Sequence, residues 1–238
     1  MQKLVHGLQE KYCNIYTPMK TLKEIYEKYW DSYVTNIRKK SDIEPANPFL
    51  IVVPSDYQDK PHKVMICGQE TQGWGNEFDH DPDSATINAL LRIYAGFVNG
   101  GGYNSPYWQF INKLKKHCPN VGFVCNNIVK IGKKFGPGCD DKINDLTLKY
   151  FPVIPEEISV LKPDIILFLT GPRYDWRIKK ALGDFQTEQI KHINNFNQII
   201  FKDTSLPKAY RCYHPRYLRQ SGQERMIIEF LINEFNKF

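Results

Sequence analysis

The chain has 238 residues, of which 42% are hydrophobic and 24% charged. That balance excludes a disordered or fibrous chain, and the length suits one α/β domain with helices on both faces of a sheet. The net charge of +6 is too mild to demand a nucleic-acid partner and reads first as a solvated surface. Four clusters, Arg38-Lys39-Lys40, Lys113-Lys115-Lys116, Lys130-Lys133-Lys134 and Arg177-Lys179-Lys180, would attract phosphates if they shared one face.

None of the six cysteines has Cys-x-x-Cys spacing, so neither a zinc ribbon nor a thioredoxin-like motif is expected. Cys67, Cys125 and Cys212 sit in apolar runs and read as small buried hydrophobes. Residues 1–19 mix charge with aromatics. No stretch approaches the roughly 18 apolar residues of a membrane span, so a cytoplasmic protein with free thiols and no membrane contact is expected.

The first periodic segment is residues 19–40, where Leu22, Ile25, Tyr26, Tyr29, Trp30, Tyr33 and Ile37 recur at steps of three and four. That spacing predicts an amphipathic helix with a basic end. Residues 41–61 read as loop and turn around a short strand at Phe49–Val53. Residues 63–67 form an apolar strand ending at Gly68, followed by a polar loop over 69–83. Ser84 caps a predicted helix over 85–98, closed by Gly100-Gly101-Gly102. Ser105-Pro106 starts another helix that runs to about His117.

Residues 121–125 make the next strand, ending at Asn126-Asn127. Pro155 opens a helix through Leu161. Asp164–Leu169 is the most continuous apolar strand, buried on both faces as parallel strands are, and it stops before Gly171. A helix over 173–182 and short strands at 198–201 and 209–213 follow, the last ending at His214-Pro215. Ser221 and Glu224 have the spacing of a capping box for a final helix, whose apolar face is Met226, Ile227, Phe230, Leu231 and Phe235. Strands alternating with helices predict a mostly parallel, doubly wound sheet. In such sheets ligands bind outside the carboxyl ends of the strands, where helix N-termini present free N–H groups. A carboxylate, an amide and an imidazole far apart in sequence can therefore meet at one crevice.

In that order the strand ends resemble the motifs of the uracil-DNA glycosylase superfamily. The first motif corresponds to Val64-Met65-Ile66-Cys67-Gly68-Gln69-Glu70-Thr71-Gln72, the second to Phe123-Val124-Cys125-Asn126-Asn127-Ile128-Val129. The third corresponds to Glu156 through Lys162-Pro163-Asp164 to Leu169-Thr170-Gly171, and the last to His214-Pro215-Arg216-Tyr217-Leu218. The resemblance runs from about residue 63 to the end. It implies a three-layer α/β/α domain around a central, mostly parallel four-stranded sheet, with residues 1–60 as a helical extension packed on it. It also implies a monomeric hydrolase that needs no cofactor or metal and cleaves the N-glycosidic bond of uracil or another deaminated base in DNA.

Residue by residue, the resemblance makes Glu70 the carboxylate that activates water and stabilises the sugar cation. It makes His214 the group that hydrogen-bonds the leaving base. Gly68 and Gln69 line the pocket beside the base, as does Gly171 at the end of the third motif. Asn126, or Asn127 if the register is one off, reads the Watson–Crick edge. Trp74 and Phe78 are the aromatics that could stack on the base. Leu218 is the wedge that fills the gap in the duplex, flanked by Arg216 and Arg219 on the DNA. Thr71 replaces the family's proline, and Gln72 the tyrosine that excludes thymine. The different-class alternative is a nucleic-acid or nucleotide-binding protein on the same fold that does no chemistry.

Overall fold

The computed structural model describes residues 17–39, 42, 44–71, 73–75, 86–136 and 138–237. Gln72, Phe78 and Ser84 lie outside them. Helix α1 (Thr17–Tyr33) ends in a π-helical turn over Val34–Arg38. After an extended segment come β1 (His62–Gly68), α2 (Ile87–Asn99), α3 (Pro106–His117) and β2 (Val121–Asn127). Next are α4 (Asp141–Tyr150), α5 (Ile154–Leu161) and β3 (Ile165–Phe168). Then α6 (Asp175–Leu182) precedes β4 (Phe185–Gln189), β5 (Phe196–Phe201) and β6 (Lys208–Cys212). Helices α7 (Pro215–Gln220) and α8 (Glu224–Phe235) close the chain.

The sheet has six strands among the described residues, in the order β2-β1-β3-β6-β5-β4. This corrects the four-stranded expectation. β2, β1, β3 and β6 are mutually parallel; the first three are apolar runs in the sequence, and β6 carries Lys208 and Arg211 among its five residues. β5 and β4 extend the sheet antiparallel beyond β6. β4 escapes a reading based on apolar runs because four of its five residues, Gln186–Gln189, face solvent.

Strand alternation splits the apolar residues between two layers. Met65, Cys67, Val124, Ile166 and Phe168 pack under α1, α2, α4, α5 and α6. Val64, Ile66, Cys125, Ile165 and Leu167 pack under α3, α7 and α8. Helices therefore cover both faces, and the four parallel strands open their carboxyl ends along one rim. No described helix is long and apolar enough to cross a membrane.

Several helix ends differ from their sequence signals. Thr86, not Ser84, is the N-cap of α2, its hydroxyl accepting from Ala89 N at 3.2 Å. Ser105 and Pro106 start α3 as expected. Ser221 is the C-cap of α7 rather than the N-cap of α8, and α8 begins without a side-chain cap. Glu224 instead pairs with Arg219 and Lys113. Helix α4, which has no counterpart among the sequence expectations, is capped by Asp140. Its only buried apolar residue is Ile143, too thin a stripe to stand out. The run Phe49–Val53, buried except for the half-buried Val52, joins no sheet. Phe49 N bonds Lys130 O, and Ile51 N bonds the Tyr26 hydroxyl. Gly102 holds φ at +72°, and a Cβ there would lie 2.2 Å from the Trp108 ring. Only glycine permits that turn to close on α3.

Candidate functional site

The rim is assembled by the strand register. Gly68 pairs with Asn127 at the ends of β1 and β2. Leu169 N bonds Cys67 O, and Gly171 N bonds Cys212 O, so the ends of β1, β3 and β6 are tied together. Going from β1 the chain crosses to β2 on one side, and from β3 towards β6 on the other. The β1/β3 junction is thus a topological switch point, where open sheets form a crevice. A cleft of about 690 Å³ lies there, with Gln69, Gly171 and His214 on its walls. That volume is within the range of ligand sites, roughly 300–1,000 Å³.

Glu70 sits beside this cleft. Tyr174, a lining residue just ahead of α6, donates from its hydroxyl to Glu70 Oε2 at 2.5 Å. Burial and this carboxylate together push the Tyr174 phenol well above its ordinary value, so it remains a donor. Sequence gave no hint of Tyr174. It lies 104 positions from Glu70 and follows an ordinary Gly-Pro helix start. Gln69 Nε2 donates to Thr170 O at 2.9 Å, which fastens the β1 turn to the β3 turn.

His214 is the N-cap of α7, its Nδ1 accepting from Arg216 N at 3.2 Å. An imidazole that accepts at Nδ1 carries its proton on Nε2, leaving that N–H as a donor. Burial, aided by the charge of Arg216, holds His214 below the usual 6.5. The ring stacks on Tyr107 of α3, with centroids 5.8 Å apart and an angle of 18°. Tyr107 in turn abuts the end of β1. A Cβ at Gly68 would lie 3.0 Å from the Tyr107 hydroxyl and 2.5 Å from Asn127 Oδ1, so glycine lets these side chains close on the strand.

A ring NMR titration should therefore give His214 a midpoint below 6.5, and a value at or above 6.5 contradicts this environment. The sign for stability follows. A folded-state value below the unfolded one makes the unfolded chain bind more protons in acid, so stability is full above 6.5 and falls as pH drops through the lowered value.

Asn126 and Asn127 part company because successive strand residues face opposite sides. Asn127 turns towards Tyr107. Asn126 is fully buried on the other side, and its amide is consumed there. Nδ2 donates to Glu157 Oε2 at 2.8 Å, and Oδ1 accepts from Asn127 N and Lys130 Nζ, each at 2.8 Å. It faces the core and not the cleft, so the edge-reading role expected for it has no free group to perform it.

Trp74 also belongs to the core, edge-on to Phe49 at 4.8 Å and Phe97 at 5.7 Å. It does not line the cleft. Leu218, expected as a wedge, is 0% exposed and packs with Ile227 and Leu231. The fourth residue after His214 lies one turn along α7, on its inner side. Leu218→Ala should cost about 3 kcal/mol of unfolding free energy, as a buried large-to-small change does. Urea denaturation checks this, and a loss below about 1 kcal/mol contradicts the packing. Arg219 is held by Glu224 at 2.7 Å and by Gln109 Oε1 at 2.8 Å, whereas Arg216 is exposed.

The lysine clusters do not make one basic face. Lys130 is buried, Lys134 pairs with Glu44 at 3.0 Å, and Lys180 with Asp145 at 3.3 Å. Arg177 is anchored at Asn144 and lies 4.2 Å from the centre of the Trp176 ring. The cleft wall nevertheless carries Arg173, Arg177, Trp176, Tyr213 and Tyr217, a mixture of cations and aromatic faces. Cys139, also on the wall, is pushed up to about 12 by burial and is no nucleophile at neutral pH. Compared with models of known protein families and with curated proteins, the chain matches none.

Proposed function

We propose that the chain is a DNA glycosylase-like hydrolase that removes uracil or another deaminated base. The observation that carries the reading is a neutral imidazole on the cleft wall and a carboxylate held beside that cleft by the lining residue Tyr174, the two borne by the ends of different strands. Glu70 is fixed at one oxygen by Tyr174, and His214 keeps an Nε2–H donor because Nδ1 is occupied.

Breaking the bond between the sugar C1′ and the base nitrogen leaves a cationic sugar and an anionic base. Donors and charges preorganised for both are the main resource for such a step. Glu70 faces the developing cation and takes a proton from the attacking water, whose oxygen forms the new bond to C1′. His214 Nε2–H hydrogen-bonds the carbonyl oxygen on which the base's negative charge collects. A base within a duplex is out of reach of such a cleft and must be extruded or already unpaired.

The engagement of Asn126 and the burial of Leu218 favour a second reading, nucleic-acid or nucleotide binding without cleavage. One assay separates the two. A uracil-containing strand is incubated with the protein and then treated with alkali. Scission that is lost in His214→Ala supports the hydrolase. Salt-dependent binding with an intact strand supports the binding protein.

A further inference from the structure

We propose that the stacked pair Tyr213–Tyr217 on the cleft wall is a subsite for an unpaired base next to the reactive one, so that the chain takes its nucleic acid as a single strand. The inference rests on the nucleic-acid reading of the cleft and adds to it where the neighbouring base goes and in what strand state.

The two rings are stacked, with centroids 4.6 Å apart and planes 29° from parallel. Both line the cleft. The inner ring is backed by the β3 turn, where a Cβ at Gly171 would come within 3.3 Å of Tyr213. The outer ring, Tyr217, is 44% exposed. A buried aromatic needs no further explanation, but a ring pre-stacked on a rigid neighbour and left open at a cleft is a ready surface for a planar ligand. Trp176, 37% exposed on the same cleft, supplies a second aromatic surface. Exposed Arg216 adjoins Tyr217 in the chain and exposed Arg173 lines the same cleft, and both suit the phosphates between successive bases.

Helix α7 also lacks what a duplex reader needs. Its aliphatic side chains, Pro215 and Leu218, are buried and cannot fill the gap left by an extruded base, and its one exposed ring, Tyr217, is already stacked on Tyr213. An unpaired strand has no gap to fill, and its bases are already free to stack.

The test uses the whole chain, a fluorescein-labelled oligothymidine without uracil, and the same strand annealed to its complement, read by anisotropy. The single strand should bind at least tenfold more tightly than the duplex. Tyr217→Ala should weaken single-strand binding roughly tenfold, the worth of one stacked base, with an unchanged salt slope because no charge is removed. Tyr217→Phe should restore the affinity. Equal or tighter duplex binding, or undiminished single-strand binding by Tyr217→Ala, overturns the inference. If these binding results hold but uracil is never excised, only the hydrolase reading fails. If uracil is excised and Tyr217→Ala binds normally, only the stacking subsite fails.

Discussion

Glu70→Gln is expected to lower uracil excision by at least about 10²-fold while the protein remains folded. The substitution keeps the size of the side chain and an oxygen that can accept from Tyr174, so the local packing survives. In the proposed reaction it removes the negative charge that faces the sugar cation and the group that accepts the proton from water. General-base catalysis alone supplies about 10²–10⁴-fold, and loss of a single preorganised electrostatic group about 10²–10³-fold. Initial rates of alkali-labile site formation, compared at saturating strand, read this directly. A rate within threefold of the parent would remove Glu70 from the chemistry.

Lys130→Met should destabilise the chain by about 4 kcal/mol. Lys130 is 1% and Glu157 0% exposed, and their side chains meet at 2.8 Å. Glu157 Oε1 also accepts from the Tyr26 hydroxyl at 2.6 Å, and its Oε2 from Asn126 at 2.8 Å. Lys130 completes the circuit through Asn126 Oδ1. Burial lowers the Lys130 pKa, and Glu157 works against that shift. Burial drives the Tyr26 phenol well up, so it stays a donor.

Removing one partner of such a pair strands the other charge in the core, at a cost of about 3–5 kcal/mol. The double variant Lys130→Met, Glu157→Gln leaves no unpaired charge and should recover part of the loss. Urea unfolding of the two single variants and the double variant measures the coupling. Additive losses, or a single-variant loss under 1 kcal/mol, would contradict the network.

This network ties three regions that sequence keeps apart. Tyr26 comes from α1, Asn126 from the end of β2 and Glu157 from α5. The described residues ahead of β1, from Thr17 on, therefore do more than cap the sheet from outside. Ala46, Phe49, Leu50 and Ile51 are buried among the other layers, and their backbone is fastened to the β2 turn at Lys130 and Gly132.

What sequence made legible follows from period and burial. β1, β2 and β3 announce themselves because each is an apolar run that stops at Gly, Asn or a polar turn, whereas β6 carries Lys208 and Arg211 and is marked by the His214-Pro215 that follows it. β4 does not, because a strand with one buried residue has no apolar run to detect. The rim residues Gln69, Gly171 and His214 were reachable from the rule that parallel strands carry their sites at their carboxyl ends.

Orientation was the harder quantity. Asn126 shares its side of β2 with Val124 and Asn127 shares the other with Cys125, and both sides are core, so alternation separates the two amides without saying which one is consumed. Leu218 likewise follows from α7 lying on the sheet, a fact no spacing contains. Nothing in the sequence marks Lys130 and Glu157 as a buried pair, because burial of an ion pair leaves no trace in periodicity. Tyr174 could be found only once α6 was seen to start beside the β1 turn.

The most direct test of the proposed chemistry counts both products of one bond cleavage. The parent protein is incubated with a single strand carrying one uracil, free uracil is quantified by chromatography, and abasic sites are counted in the same sample. The account predicts the two in equal amounts, rising together with time. A strand that is bound yet yields neither product would contradict it.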